Sequence, residues 1–426
     1  MKKILKLFFL IMSFMCCYNI YLQYLEIKKV RDFFKNINGV ATIDEYTIYG
    51  NHLNIKGNLK YTSKIDKISL VLKNLDNEKE YPLIYEKEND SISFELSKNI
   101  NKGIDLEGLT NINHYLFIKI INNDSAEYYS LKNETRYENL EYFTLTRNNK
   151  NYKIKLYINE FQLKKEKVPY FKIKTNNISL DDEFYDIVID PGHGGKDSGA
   201  LSLDGKYREA DVNLMVAKEL KKSLEQIGLK VKLTRKEDIT LPTYGKDGRA
   251  VIPNERKAKL LLSIHLNSSE KKISSGGIEI YTPSSIDYTF ATLIADNLVS
   301  ITNTSFSKNQ TDRIFKGVYT RTFDKKGIDE AIEYAKDNNY EPYNITTSTP
   351  VLYMLRETGG IMTGAYIDGR NTNLDSNPYY NSNITCEAYL IELGYINYKE
   401  DLDNILNNYN LYVDAITNAV KEYYSL

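Results

Sequence analysis

Hydrophobic and polar residues follow two different rhythms along the chain. Between about 41 and 175, short apolar runs alternate with polar residues at a period of two, and turn residues such as Asn74 and Asp76 separate the runs. This pattern is typical of antiparallel strands. It predicts an all-β, sandwich-like accessory domain at 41–175. The runs that predict its strands are 46–49, 53–55, 68–72, 92–96 and 115–120.

From about 185 onward, apolar strands alternate with amphipathic helices. The apolar run 186–190 ends in a glycine-rich loop, and apolar residues then recur at helical spacing from about 210 to 227. Strands that alternate with helices predict an α/β domain at 185–426, with a mainly parallel sheet and flanking helices. Further strands are predicted at 229–234, 260–264, 277–281 and 388–391, and further helices at 249–259, 288–301 and 402–423.

The segment 303–384 interrupts this alternation. It is polar, rich in Thr and Asn, and contains one predicted helix at 328–337. A segment of this length between elements of a sheet is usually a functional insertion, so a lid, the wall of a groove and a decoration are all open. Tyr353 adds aromatic surface, and Arg356 and Arg370 are available for carboxylate groups of a ligand.

The first 25 residues are predicted to be a targeting segment. Lys2, Lys3 and Lys6 precede an apolar run that continues to about residue 25. This is the pattern of an export signal, and the run is just long enough to span a membrane. Because no convincing cleavage site follows, we expect a signal anchor, with a cleaved signal peptide as the alternative, and then a linker at 26–40. The positive flank places the bulk of the chain outside the cell.

The composition narrows the partners and the chemistry. The chain has 426 residues, a length that fits two domains, and its net charge of −1 argues against nucleic acid as a partner. Its cysteines are Cys16, Cys17 and Cys386, so no disulfide can form within the chain beyond the N-terminal apolar run. A metal site must therefore use histidine and carboxylate ligands.

Four residues are candidates for chemistry because of their places in the predicted elements. His193 lies in a glycine-rich loop at the carboxyl end of a strand, where α/β sheets build their sites, although a turn residue is the simpler interpretation. Glu209 lies just before a predicted helix that begins near Ala210, where the helix dipole alone favours an acidic residue. His265 follows the strand 260–264 and could be an ordinary polar residue at a strand end. Glu392 lies within an apolar strand, where a carboxylate is costly unless it is paired, metal-linked or protonated.

Together these four residues predict a catalytic metal centre. Two histidines and one carboxylate are a ligand set of catalytic zinc, which keeps its fourth position for water. Zinc polarises a substrate carbonyl and lowers the pKa of bound water. A second carboxylate can then take the proton of the water and pass it to a leaving amine, which contributes about 10²- to 10⁴-fold to the rate.

A series of motifs runs in a fixed order through 185–302 and 385–426. It comprises 189–195 with Asp197, Gly199 and Ala200; Glu209 with Asn213 and Leu214; Thr234, Arg235 and Asp238; Arg249, Asn254 and Ala258; 263–267; 277–281; and 391–397 with Glu400. In order and spacing, this series resembles the zinc-dependent N-acetylmuramoyl-L-alanine amidases of the Amidase_3 type.

The resemblance implies an activity and a set of roles. Such enzymes hydrolyse the amide bond between N-acetylmuramic acid and L-alanine in peptidoglycan, so peptidoglycan is the expected substrate and the cell surface or cell wall the expected location. Carried over, His193, Glu209 and His265 are zinc ligands, and Glu392 is the catalytic acid and base. The alternatives are a zinc hydrolase of another peptide or amide bond and a non-catalytic cell-wall-binding protein. The intact set of four residues argues against the last of these.

Overall fold

The structure is a computed structural model of the chain, and it describes most of 34–178, 184–357 and 386–426 together with part of 12–32. Most of the predicted targeting segment, part of the predicted linker and the last part of the predicted insertion lie outside the described residues. The residues outside the description are 1–11, 14, 22–23, 26–27, 29–30, 33, 75, 98–102, 110–112, 135–138, 144–150, 164–165, 179–183, 244–247, 271–273, 284–287, 338–344, 348 and 358–385.

The chain divides into two compact units, of which the first comprises Met1–Leu140 and Ile154–Asn176. Twelve strands form its hydrogen-bonded sheet: β1 Ile37–Tyr49, β2 His52–Lys60, β3 Lys67–Lys73, β4 Glu78–Pro82, β5 Ile84–Glu88, β6 Ser91–Glu95, β7 Ile104–Asp105, β8 Asn113–Asn122, β9 Ser125–Asn133, β10 Asn139–Phe143, β11 Asn151–Leu163 and β12 Glu166–Ile178. The strand order is β10-β11-β12-β8-β9-β1-β2-β6-β5, while β3 joins β8 and β4, and β7 joins β2.

The period of two explains the burial of these strands. In β6, Ile92 and Phe94 are buried, whereas Ser91 and Ser93 are exposed. Each such buried side chain stabilises the fold by about 1.5–3 kcal/mol. The predicted strands are present, but the expectation of antiparallel pairing throughout is wrong, because β1 and β9 run parallel. Hydrogen bonding also joins all twelve strands into one branched sheet.

The second unit comprises Glu141–Lys153 and Asn177–Leu426, and it contains a seven-stranded sheet with helices. The strands are β13 Ile187–Pro191, β14 Val231–Leu233, β15 Leu260–Asn267, β16 Glu279–Tyr281, β17 Arg313–Phe315, β18 Val318–Tyr319 and β19 Glu387–Tyr395. The helices are α1 Glu209–Gln226, α2 Ile252–Glu255, α3 Thr289–Thr302, α4 Lys325–Asp337, α5 Tyr353–Glu357 and α6 Lys399–Tyr424.

The sheet of the second unit is mixed, with the order β14-β13-β15-β19-β16-β18-β17. Its centre is parallel, since β14, β13, β15 and β19 all run the same way. The mainly parallel prediction holds for this part only, because β16 runs antiparallel to β19, and β17 antiparallel to β18. The parallel centre brings the carboxyl ends of β13 and β15 to one edge, where the candidate residues lie.

Helices cover the buried strands on both sides. Helices α1 and α3 both pack against α6, and α1 also contacts β13 and β15. Val188, Leu261 and Leu390 belong to another buried cluster, which they share with residues from around α2 and α5. Neighbouring residues of a strand point to opposite faces, so the continuous burial of β13 follows from this double cover.

The helix predicted at 249–259 is much shorter in the structure, so the predicted length is wrong. Only Ile252–Glu255 is helical, with Pro253 in the first turn. A proline is favoured there because the N–H groups of the first turn have no acceptor within the helix, so the N–H that proline lacks costs no hydrogen bond. Lys257 then adopts a φ of 51°, in the left-handed region, which stops the helix before 259.

The described part of the insertion extends the sheet. It supplies β17 and β18, and the predicted helix at 328–337 is present as α4. The expectation that Arg356 is available to a ligand is wrong: its side chain is 3% exposed, and its guanidinium stacks over the Tyr353 ring at 4.3 Å. Arg370 lies outside the described residues. In the part of the chain that the structure describes, no helix is both long and apolar enough to cross a membrane.

Candidate metal centre

His193 lies in a tight loop directly after β13. Gly192 continues the strand by donating from its N–H to the carbonyl of Ile264 at 2.9 Å. His193 then takes a φ of 61°, which is a strained backbone conformation for a residue with a side chain. Its Nδ1 lies 2.8 Å from Oδ2 of Asp197, and this hydrogen bond leaves Nε2 as the ring nitrogen available to a metal ion.

Two glycines allow the loop to pass against the other candidate ligands. A Cβ on Gly192 would come within 2.2 Å of the His265 ring, and one on Gly199 within 2.6 Å of Oε2 of Glu209. No side chain fits at these distances. The loop therefore needs glycine at these two positions, because His193, Glu209 and His265 approach its backbone closely.

Glu209 is the first residue of α1 and only 4% exposed. Its carboxylate accepts two backbone hydrogen bonds, from Ala200 to Oε2 at 3.0 Å and from Leu266 to Oε1 at 3.2 Å. Glu209 therefore lies both at the helix N-terminus, where the helix dipole favours a negative charge, and in the cluster with the two histidines.

His265 completes the cluster from the carboxyl end of β15. Its Nδ1 lies 3.0 Å from Oε1 of Glu209, and Nε2 of His193 lies 3.1 Å from that same oxygen. One nitrogen or oxygen of each residue lies within 4.8 Å of the others. A tetrahedral zinc site with ordinary bond lengths separates its ligand atoms by about 3.3 Å. The two histidines and the glutamate therefore fit a divalent metal in both chemistry and spacing.

The charges within this cluster support one another. Burial alone would lower the pKa of His193, but the hydrogen bonds and charges of Glu209 and Asp197 raise it above its ordinary value. Burial alone would raise the pKa of Glu209, but the two histidines hold it well below the ordinary range. Glu209 is therefore ionised and presents a negative charge that a cation can neutralise.

Glu392 lies in β19, directly beside β15. It pairs with His265 across the parallel strands and with Glu279 across the antiparallel strands. Its Oε2 is shut off from solvent and has no hydrogen-bond partner among the residues that the structure describes. Burial raises the pKa of Glu392 well above its ordinary value, and the charges of Glu209 and Glu279 add to this.

Glu279 is a further carboxylate of the site region that the sequence analysis did not single out. It is fully buried, and three hydroxyl groups donate to it at 2.7 Å, those of Tyr281, Tyr395 and Ser307. The signal that identified Glu392, an acidic residue inside an apolar strand, is equally present in the run 277–281. Glu279 therefore places a negative charge next to Glu392, and its own carboxylate is held by these three hydroxyl groups.

An ion pair beneath the loop anchors β13. Asp190 is fully buried and accepts two hydrogen bonds from Arg249, at 2.9 Å from Nε and 2.7 Å from Nη2. Thr234 and Ser263 each donate a further hydrogen bond to this carboxylate at 2.8 Å. Because the donors come from the strands on either side, Asp190 fixes the register of the three strands just before the loop of His193.

The structure thus brings His193, Glu209 and His265 into one cluster and places Glu392 on the neighbouring strand. The model of the family Amidase_3, described as N-acetylmuramoyl-L-alanine amidase, matches residues 187–422, more than half of the chain. The chain belongs to the Amidase_3 family. The matched range contains all four of these residues.

Curated relatives match the Amidase_3 region over shorter stretches. The N-acetylmuramoyl-L-alanine amidase AmiC of Escherichia coli is 42% identical over 93 residues, which are 21% of this chain and 21% of AmiC. The germination-specific N-acetylmuramoyl-L-alanine amidase of Bacillus subtilis is 37% identical over 106 residues, 22% of this chain and 44% of that protein. The chain therefore spans less than half the length of these relatives.

Solved structures with similarity include AmiC2 of Nostoc punctiforme, at 24% identity and a TM-score of 0.37, covering 58% of this chain and 100% of that one. The catalytic domain of CwlV from Bacillus (Paenibacillus) polymyxa is 26% identical with a TM-score of 0.37, covering 56% and 97%. The family assignment rests on the match at 187–422 and not on these low TM-scores.

Proposed function

We propose that this protein is a zinc-dependent N-acetylmuramoyl-L-alanine amidase that hydrolyses the bond between N-acetylmuramic acid and L-alanine in peptidoglycan. The observation that carries the proposal is the convergence of His193, Glu209 and His265 at one edge of the sheet, in a chain of the Amidase_3 family. The names of the relatives, which are peptidoglycan amidases, support the same substrate.

In this proposal, His193, Glu209 and His265 hold the zinc ion. Bound there, zinc would supply Lewis acidity, which polarises an amide carbonyl and makes water more acidic. The chain's own contribution is to hold the ligands in place. Asp197 orients the His193 ring, and the backbone N–H groups of Ala200 and Leu266 orient the Glu209 carboxylate.

Glu392 moves the proton in this mechanism. Its carboxylate, on the strand beside His265, takes a proton from the attacking water. The water oxygen bonds to the lactyl carbonyl carbon of muramic acid, and the bond from that carbon to the alanine nitrogen breaks. Glu392 then gives its proton to the leaving nitrogen. Burial beside Glu209 and Glu279 raises the pKa of Glu392, which lets it keep the proton until the amine leaves.

The organisation of the whole chain forms part of the proposal. Residues 1–25 are a signal anchor or signal peptide, 26–40 a linker, 41–175 an accessory domain and 185–426 the catalytic domain, with an insertion at 303–384. The protein then acts outside the cell, held at the membrane by its N-terminal segment or secreted into the cell wall. The cationic start and the apolar run that follows support this arrangement.

The proposal is tested by metal analysis together with digestion of purified peptidoglycan. The full chain is expected to bind about one zinc ion and to release free lactyl ends of muramic acid together with new alanine amino groups. His193→Ala and His265→Ala are expected to lose the metal and the activity, whereas His52→Ala, which changes a histidine of the first unit, should keep both.

Full zinc content in both ligand variants would exclude this site. New amino groups without free lactyl ends would indicate another amide bond, and zinc-independent binding without cleavage would indicate a cell-wall-binding protein.

A further inference from the structure

Arg235 is a buried arginine whose hydrogen bonds all go to the backbone. Its side chain is 2% exposed. Within the described part of the chain, its guanidinium donates four hydrogen bonds, each to a carbonyl oxygen. The acceptors are Pro191 at 3.1 Å from Nε, Gly192 at 2.9 Å and Ala210 at 2.7 Å from Nη2, and Glu237 at 3.2 Å from Nη1.

Two of these carbonyls adjoin candidate metal ligands. Gly192 directly precedes His193, and Ala210 directly follows Glu209. A single nitrogen, Nη2 of Arg235, bonds to both carbonyls. The loop after β13 and the first turn of α1 are therefore held together at one point, next to the two side chains that must meet at the metal.

The loop also closes over Arg235 on the other side of His193. Gly194 has a φ of 131°, and a Cβ there would lie 2.6 Å from the carbonyl oxygen of Ile239, 2.8 Å from Nε and 2.9 Å from Cδ of Arg235. The backbone on both sides of His193 is thus in contact with one guanidinium. Burying a guanidinium is unfavourable unless hydrogen bonds replace its lost hydration, so the four carbonyl acceptors are needed to keep Arg235 in this position.

We propose that Arg235 is a positioning residue of the metal centre, which sets the separation of His193 and Glu209 by holding the backbone carbonyls beside them. The inference rests on the proposed metal site. Arginine suits this role because its planar fork presents several donors in fixed directions, whereas the lysine ammonium is a single point on a flexible stem. The substitution Arg235→Lys therefore keeps the charge and removes the geometry.

The test compares zinc affinity with stability in the full chain. Arg235→Lys is expected to weaken zinc binding, measured by competition with a chromophoric chelator, by about 10- to 100-fold. The absorption bands of the Co²⁺-loaded protein should change as well, because they report the arrangement of the ligands. The matched control is Arg356→Lys. Arg356 is also buried and contacts the carbonyl of Val351, which adjoins none of the proposed ligands.

A second pair of variants displaces Arg235 without replacing it. Gly194→Ala is expected to weaken zinc binding in the same range, because the new methyl group meets both the Ile239 carbonyl and the Arg235 side chain and so shifts the backbone beside His193 relative to the guanidinium. Gly205→Ala is the control: it has a φ of 68° and no atom within 4 Å of the added Cβ, so it carries the backbone strain alone. Melting in excess EDTA shows how much each variant affects the metal-free fold.

The outcomes separate this inference from the proposed function. A wild-type chain that binds no zinc would refute the proposed function. If the wild type binds zinc, unchanged affinity and unchanged Co²⁺ spectra in folded Arg235→Lys or folded Gly194→Ala would overturn the role of Arg235 alone. Failure of both variants to fold, with both controls folded, would make Arg235 a determinant of folding and would overturn the proposal too.

Discussion

Glu392 occupies the middle of a row of three side chains that crosses β15, β19 and β16. His265 lies on one side of it and Glu279 on the other, at the same register. Residues that pair directly across strands point to the same face of a sheet. The proposed proton-transfer group therefore stands next to a proposed metal ligand on one side and next to a second carboxylate on the other.

The substitution Glu392→Gln tests this arrangement at the residue scale. Glutamine has the same shape and needs no ionisation in the enclosed position, so folding and zinc content should be kept. It cannot carry the proton, and turnover of peptidoglycan should fall by about 10²-fold or more. Zinc analysis and the rate of release of alanine amino groups measure the two effects. Near-normal turnover in a zinc-loaded variant would place the base at another residue.

At the scale of elements, Asp401 joins the start of α6 to two strand ends. One oxygen of its carboxylate accepts hydrogen bonds from the backbone N–H groups of Gly277 and Tyr395, each at 2.8 Å. The close fit extends to Gly276, where a Cβ would lie 1.9 Å from this oxygen. Asp401 thus closes the end of the sheet that carries Glu279 and Glu392.

The substitution Asp401→Ala leaves two buried N–H groups without their acceptor. Each such group costs about 1–3 kcal/mol, so the free energy of unfolding should fall by about 2 kcal/mol or more. Asp403→Ala on the same helix is the control, because Asp403 forms an exposed ion pair with Lys399, and such a pair contributes about 0–1 kcal/mol. Urea titrations followed by circular dichroism compare the two variants. Equal midpoints would show that the two N–H groups find other acceptors.

The element scale also shows which parts of the fold a sequence can predict. Helix α1 was predictable because its apolar residues repeat with the helical period, and β13 because it is a short continuous apolar run that ends in a glycine-rich loop. The direction of β16 was not, because Glu279–Tyr281 has only three residues and direction depends on which strand lies beside it. Strand β17 also has three residues and β18 has two, and no period can be read from so few residues.

At the scale of the whole molecule, the candidate site was more predictable than the sheet around it. Parallel strands end at one edge, so a histidine after β13 and another at the end of β15 had to lie near each other. Glu279 was missed although it gave the same signal as Glu392. Arg235 was missed for a physical reason: its acceptors are carbonyls brought together only by the folded loop, and no spacing in the sequence reports them.

Two buried carboxylates make the stability of the second unit depend on pH. Burial alone would raise the pKa of Asp190, but the charge and hydrogen bonds of Arg249, with those of neighbouring hydroxyls, lower it overall. The histidines lower the pKa of Glu209 in the same way. A carboxylate whose pKa is lower in the folded chain stabilises the fold above its unfolded pKa, and this stabilisation is lost as the pH falls. His193 has the opposite pH dependence. Because its pKa is raised in the folded chain, it stabilises the fold below about pH 6.5, and this stabilisation is lost as the pH rises.

The metal-free second unit should therefore lose stability as the pH falls below about 4.5, the ordinary pKa of a glutamate. Each such carboxylate contributes a slope of about 1.4 kcal/mol per pH unit between its unfolded and its lowered folded pKa. In Glu209→Gln this slope should be smaller by that amount, because one proton fewer is taken up on unfolding. Glu225→Gln is the control, because Glu225 lies at the exposed end of the same helix and forms an ion pair with Lys221; it should keep the wild-type slope. Urea titrations in EDTA at several acidic pH values, followed by far-ultraviolet circular dichroism of α1 to α6, measure it. Equal slopes in Glu209→Gln and the wild type would mean that Glu209 keeps an ordinary pKa in the folded chain.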